Sequence, residues 1–193
     1  MLKRSLFLGL FALLLTVSFQ AGADEPGKRE DAKYSNPTYV PTADEVINKM
    51  LEMAKVNKND VIFDLGCGDG RILYMAAQKY GCRGVGLELN PVRIREAMDQ
   101  AEKYKVGTLV EIRHGDALKV KDIGDATVVC LYMFPEFLDL WFPIAKEKLK
   151  PGTRIVSHDY KWTNGWEPVA EATVRSAHRD NHKVILWIVP EKK

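Results

Sequence analysis

Three glycines at alternate positions, Gly66, Gly68 and Gly70, stand between a short apolar run, Val61–Leu65, and an amphipathic segment, Arg71–Tyr80. A strand that breaks into such a loop and re-forms as a helix leaves few architectures open. Glycine lets the backbone turn sharply and approach a ligand closely. The first amides of the following helix then face whatever is bound there. The spacing narrows the ligand further. A phosphate-binding dinucleotide loop reads G-x-G-x-x-G. Here the third glycine comes one residue early, and Arg71 holds the place it should fill. Asp64 lies at the end of the run, where a carboxylate repels pyrophosphate and suits a cationic amino-acid group.

The rest of the chain alternates between the two periodicities. Thr42-Ala43-Asp44-Glu45 reads as a capping box, with Thr42 as cap and Glu45 reaching back three residues. The helix it opens has the apolar face Val46, Ile47, Met50, Leu51 and Ala54. Gly81 stops the helix over Arg71–Tyr80. Asn90 caps a third helix with Pro91 at its first position, and its face is Ile94, Ala97, Met98, Ala101 and Tyr104. Residues 135–150 read as a fourth helix, with Pro143 inside it. Residues 84–89, 109–113 and 126–132 read as strands, as does Arg154–His158. Two further strand-like runs, 167–174 and 183–189, have no helix between them. This pattern predicts an α/β fold: a doubly wound, seven-stranded, mostly parallel sheet with helices on both faces. Its last strand is antiparallel, because parallel neighbours need a long crossover.

Ligands of such sheets sit beyond the carboxyl ends of the strands, and two more carboxylates fall there. Glu88 ends the second strand and can accept both hydroxyls of a ribose. Asp116, in His114-Gly115-Asp116-Ala117, follows the third and can accept a hydrogen bond from an adenine amino group. With the loop from Asp64 to Gly70, these elements resemble the class I S-adenosylmethionine-dependent methyltransferases, which are Rossmann-like. Tyr39-Val40-Pro41-Thr42, the Asp64–Ile72 stretch and Gly86-Leu87-Glu88-Leu89-Asn90-Pro91 look like one subgroup. It holds small bacterial methyltransferases and the mitochondrial lysine methyltransferases of the ATP synthase c subunit and the adenine nucleotide translocase.

The resemblance implies roles, over about residues 39–190. Asp64, Gly66, Gly68, Asp69 and Gly70 would hold the methionine part of S-adenosylmethionine. Glu88 would hold the ribose, with Asn90 beside it, and Asp116 with Ala117 the adenine. Tyr39 and Thr42 would close over the site. The acceptor it implies is an amine, a protein lysine or a small molecule. After the fourth strand the chain reads Leu131-Tyr132-Met133-Phe134-Pro135 and lacks the Asn-Pro-Pro-Tyr signature of enzymes that methylate planar amides and base nitrogens. Asp159, His158 and Tyr132, at strand ends, are the candidates to position or deprotonate an amine. His178 and His182 have the spacing of a metal pair but lack the H-E-x-x-H glutamate and read as surface histidines in a turn, so no metal is expected. Trp162 and Trp166 read as packing under a loop rather than as a lid.

Composition adds limits at the N-terminus. Lys3 and Arg4 precede an apolar run from Leu6 to Phe19 that ends at Ala21-Gly22-Ala23. Residues 1–23 therefore read as a cleaved signal peptide, 24–38 as a charged linker and 39–193 as the methyltransferase domain. An uncleaved segment would be the only membrane attachment. The leader predicts an extracytoplasmic protein, whereas a cytosolic cofactor supply argues for the cytoplasm. The net charge of +2 resides in Lys3 and Arg4, so the chain beyond them is neutral, and no nucleic-acid partner is expected. Cys67, Cys82 and Cys130 form no C-x-x-C pair. Two other readings stay open: an oxidoreductase or aminopropyltransferase of related fold, and an exported protein that binds a ligand without catalysis.

Overall fold

The structure, a computed structural model, describes residues 39–192. The expected signal peptide and linker lie outside them. The elements in chain order are α1 (Asp44–Met53), β1 (Val61–Leu65), α2 (Arg71–Tyr80), β2 (Arg83–Glu88), α3 (Pro91–Lys103), β3 (Val110–His114), β4 (Val128–Leu131), α4 (Pro135–Lys148), β5 (Arg154–His158), β6 (Ala170–Val174) and β7 (His182–Ile188). One sheet holds all seven strands in the order β3-β2-β1-β4-β5-β7-β6. The pairs among β1 to β5 are parallel, and β7 runs antiparallel to both β5 and β6. The expected architecture is therefore the one observed.

Each central strand buries both faces. Ile62, Val128, Cys130 and Val156 pack with α1 and α2, while Phe63, Leu65, Val129, Leu131 and Ile155 pack with α4. The chain winds outward from β1 to β3, then returns to lay β4 on the other side of β1. That reversal opens a crevice at the carboxyl ends of β1 and β4. It is where Asp64, the glycine loop and Tyr132 lie.

Three local expectations change. Thr42 does not cap α1. The cap is Ala43, which makes no side-chain bond, and the Thr42 hydroxyl turns instead to His158. Met98 is 53% exposed, because α3 lies at the margin of the sheet and buries only Ala97 and Ala101. The strand expected from residue 167 begins at Ala170. Pro168 has no amide to give the ladder. The Trp166 carbonyl is turned away from it to accept the indole N–H groups of Trp162 (3.1 Å) and Trp187 (2.8 Å). Trp162 is 5% exposed and lies 4.5 Å from the Trp187 ring, centroid to centroid, so it is core and not a lid.

The opposite end of the sheet carries a polar staple. Asp60, just before β1, accepts from Arg154 at the start of β5, from the Thr127 hydroxyl (2.7 Å) and from the Asn57 amide (2.8 Å). Arg154 also donates to the Ala54 carbonyl at 2.7 Å. Three strands and the end of α1 are thereby tied together where no ligand is expected.

Candidate cofactor and acceptor site

The glycine loop is held from below by β2. The amides of Gly66 and Cys67 both donate to the Leu87 carbonyl, at 2.8 and 3.0 Å. The Gly68 amide donates to Glu88 Oε2 at 2.9 Å, and Glu88 Oε1 accepts from the Leu89 and Asn90 amides, each at 2.8 Å. Glu88 thus braces the loop from the neighbouring strand. At Gly68 the backbone is left-handed, with φ +55°, and an added Cβ would enter the Tyr39 ring. Gly66 has φ +79°, and a Cβ there would come 2.9 Å from the Met133 sulfur. Both positions are closed to side chains by what packs over them, which is how a loop keeps its backbone open to a ligand.

Asp64 is the most telling residue of the site. It is 3% exposed, and its Oδ2 is buried with no hydrogen-bond partner among the described residues. Burial first, then the Glu88 and Asp69 carboxylates, push its pKa up to about 8. A buried carboxylate without a partner is costly unless a ligand supplies a donor or a positive charge. The amino-acid end of S-adenosylmethionine carries such a group, so the residues present fit that cofactor.

Residues 39–42 form a strap over the loop. Tyr39 lies on Gly68, and the Arg93 guanidinium sits 4.2 Å from its ring centroid. Burial and then the neighbouring Asp69 carboxylate push the pKa of the buried Tyr39 hydroxyl up to about 12. Arg71 grips both oxygens of Asp69 and donates to the Thr42 carbonyl at 3.2 Å. Burial would raise the Asp69 pKa, but the Arg71 hydrogen bonds hold it below the usual carboxylate range. On the far side, Asn90 caps α3 by accepting from Val92, and Asp116 caps the turn Ala117–Lys119 by accepting from Leu118, each at 2.9 Å. Asp64, the glycine loop, Glu88, Asn90 and Asp116 thus lie at the carboxyl ends of β1, β2 and β3.

The acceptor side is less as expected. His158 is 1% exposed, and both of its ring nitrogens are taken, Nδ1 by Thr42 (3.2 Å) and Nε2 by His182 (2.8 Å). Burial lowers its pKa to about 4 against the opposing pull of Asp159, so it is neutral near pH 7. Asp159, at φ +65°, is clasped through both oxygens by Arg179 at 2.6 and 2.7 Å and accepts the Lys183 amide. Both side chains are thus already bonded to neighbouring groups. Tyr132 is half-buried. Its ring lies 3.9 Å from His158 and 6.0 Å from Tyr160, centroid to centroid, and Phe134 lies 5.4 Å from Tyr160. These rings make an aromatic shelf beyond β4 and β5. Tyr160 and Phe134 were not singled out from the sequence, because nothing local marks two rings that meet only across a β4–β5 gap.

His182 is also a correction. It is not on the surface of a turn but opens β7 and is 8% exposed. The signal was present: it alternates in phase with Val184 and Leu186, which point inward. His158, Asp159 and His182 bring three ligand-type atoms within 4.8 Å of one another. The 2.8 Å between the facing nitrogens is a hydrogen bond, and Arg179 occupies the carboxylate, so the group reads as a hydrogen-bonded relay.

Residues 64–170 match the family described as the ANTKMT methyltransferase domain. A protein-lysine N-methyltransferase of Saccharolobus islandicus is 41% identical over 156 residues, covering 80% of this chain and 95% of that protein. The adenine nucleotide translocase lysine N-methyltransferase of Mus musculus is 29% identical over 147 residues, covering 76% of this chain and 62% of that protein. Among solved structures, an RNA methyltransferase of Salinibacter ruber in complex with S-adenosyl-L-homocysteine superposes with a TM-score of 0.74. It is 41% identical, with 80% of this chain and 96% of that chain covered.

Proposed function

Because the chain belongs to the ANTKMT methyltransferase domain family and is an S-adenosylmethionine-dependent methyltransferase, we propose that its methyl acceptor is the side-chain amine of a protein lysine. The observation that carries this is 41% identity across nearly the whole of a protein-lysine N-methyltransferase. The site's chemistry agrees with it. The shelf of Tyr132, Tyr160 and Phe134 offers ring faces to an alkyl amine, and such faces attract a cationic head group.

In this reading Asp64, Gly66, Gly68, Asp69 and Gly70 hold the amino-acid part of the cofactor, with Tyr39 and Thr42 over it. Glu88 and Asn90 hold the ribose, and Asp116 and Ala117 the adenine. Glu88 can keep its three amides and still accept one ribose hydroxyl, because Oε1 is filled by two amides but Oε2 accepts only one and has a second lone pair. The cofactor supplies a methyl group already activated on a positive sulfur. The protein's task is then to exclude water and align the amine, and proximity and orientation can supply much of the acceleration. Tyr132 is the remaining polar candidate beside the acceptor, since His158 and Asp159 are engaged elsewhere.

A second reading has one specific observation in its favour: the Salinibacter ruber relative, equally identical, is described as an RNA methyltransferase. Incubation of a host extract with the protein and S-adenosylmethionine carrying a deuterated methyl group separates the two. Half of the extract is digested with protease and half with ribonuclease, and both are read by mass spectrometry. Deuterated methyl-lysine is the expected product. Label confined to nucleosides would replace the lysine reading with the RNA one.

We also propose that residues 1–23 direct the protein out of the cytoplasm, on the strength of the basic start, the apolar run and Ala21-Gly22-Ala23. N-terminal sequencing of the protein from fractionated host cells is expected to find Asp24 first, outside the cytoplasm. An intact Met1 in the soluble cytoplasmic fraction would refute export.

A further inference from the structure

Four buried polar side chains link the strap to the turn between β6 and β7, and the hydrogens along that chain can be counted. Ser176 Oγ lies 2.9 Å from His182 Nε2, His182 Nδ1 lies 2.8 Å from His158 Nε2, and His158 Nδ1 lies 3.2 Å from Thr42 Oγ1. All four residues are buried. A serine hydroxyl has one hydrogen and two acceptor lone pairs. At Ser176 the lone pairs face the amides of His178 (3.3 Å) and Arg179 (3.2 Å). Its hydrogen has two acceptors in reach, the Arg179 carbonyl at 3.3 Å and His182 Nε2 at 2.9 Å. The Arg179 carbonyl already accepts from the Ser176 amide at 2.8 Å. The hydrogen therefore goes to the shorter contact, on His182.

The direction of the chain follows. A neutral imidazole accepts at one nitrogen and donates from the other. His182, accepting at Nε2, donates from Nδ1 to His158 Nε2. His158, kept neutral by burial, donates from Nδ1 to Thr42 Oγ1. The nearest charge, Asp159, stands 3.4 Å from His158 Nε2, but Arg179 holds both of its oxygens and offsets its pull. Thr42 thus accepts from the relay and keeps its own hydrogen to give away. Its carbonyl is held by Arg71, the residue directly after the glycine loop, so the hydroxyl sits between that loop and the end of β5.

We propose that His182 and Ser176 are positioning residues for cofactor binding: they fix His158 as a donor to Thr42 and so make the Thr42 hydroxyl a donor to the cofactor's carboxylate. The inference rests on the S-adenosylmethionine reading of the glycine loop, and the test separates the two. Ser176→Ala removes the first hydrogen of the relay, and His182→Phe removes its middle. Calorimetry is run with S-adenosylhomocysteine, which has the amino-acid end, and with 5′-methylthioadenosine, which lacks it. Both variants are expected to bind S-adenosylhomocysteine about tenfold more weakly. Both should bind 5′-methylthioadenosine within about twofold of the unsubstituted protein. Nitrogen-15 NMR of the imidazoles gives a readout independent of ligand. His158 should carry its proton on Nδ1 in the unsubstituted protein and shift toward Nε2 in Ser176→Ala.

Equal losses for both ligands, or none for either, overturn the proposal, as does an Nε2-protonated His158 in the unsubstituted protein. Should His182→Phe not fold, Ser176→Ala in its exposed turn decides the matter alone. An unsubstituted protein that binds neither ligand would instead remove the cofactor reading itself.

Discussion

Asp64→Asn is expected to weaken S-adenosylmethionine binding by roughly 100-fold, on the scale of about 2–5 kcal/mol for losing one partner of a buried charge pair, while the unliganded protein gains stability at high pH. The two effects share a cause. Asp64 Oδ2 has no partner among the described residues, so its charge is useful when a ligand answers it. Its folded-state pKa is raised to about 8, by burial and then by Glu88 and Asp69. In the unfolded chain it loses its proton near 4. Its contribution to stability is therefore complete below about pH 4 and is lost as pH rises through about 8. Asparagine stays neutral throughout and escapes that loss. Thermal unfolding at pH 5 and pH 9 should show the variant overtaking the unsubstituted protein as pH rises. His158 acts at the other end of the scale. Its depressed pKa of about 4 means that its contribution is present above about 6.5 and is lost as pH falls through 4.

Binding should also move a proton. A cationic ligand beside Asp64 favours the ionised form, so the bound complex releases the proton that the free protein holds near pH 7. Calorimetry in two buffers of different ionisation enthalpy counts it: close to one at pH 7, falling toward zero above pH 9. A variant that binds as tightly as the unsubstituted protein, or a proton count of zero at pH 7, would remove Asp64 from the site.

Arg154→Leu is expected to destabilise the fold by about 3–5 kcal/mol, the range for breaking a buried ion pair by removing one partner, and to leave cofactor affinity within about twofold. Asp60 is 4% exposed. Burial alone would raise its pKa, but the hydrogen bonds from Arg154, Thr127 and Asn57 hold it below the usual value. Without Arg154 a buried carboxylate loses its countercharge, and the Ala54 carbonyl loses its donor. Adding Asp60→Asn to Arg154→Leu should recover part of the loss, because the orphaned charge is gone. Denaturant titration measures both. A loss under about 1 kcal/mol would mark the pair as an ordinary surface bridge. The two substitutions address opposite ends of one strand: Asp60 precedes β1, and Asp64 lies one residue before its carboxyl end.

Much of this was legible in order along the chain. The period of the apolar residues gave seven strands and four helices, because burial on two faces leaves short apolar runs and burial on one face leaves a helical stripe. The glycine loop announced itself because left-handed backbone at Gly66, Gly68 and Gly70 has a local signature. Glu88 and Asp116 were legible because each follows a strand whose direction was already known. Thr42 was misread for an instructive reason. Its capping pattern is genuine as a sequence, but a buried imidazole 116 residues away competes for the same hydroxyl and wins. His182 was misread because its spacing to His178 suggested a turn, while its burial depends on β7 lying between β5 and β6.

The sequence by itself determined the fold class and the cofactor, S-adenosylmethionine. These depend on local conformation and on the order of elements, both of which are written along the chain. Only the tertiary structure decided which polar groups are free. It paired Asp159 with Arg179, closed both nitrogens of His158 and joined Thr42 to Ser176 through two histidines. It also left Asp64 Oδ2 without a partner among the described residues. Hydrogen bonds in a buried site are assigned by competition among groups brought together from distant strands, and no spacing in the chain records who wins.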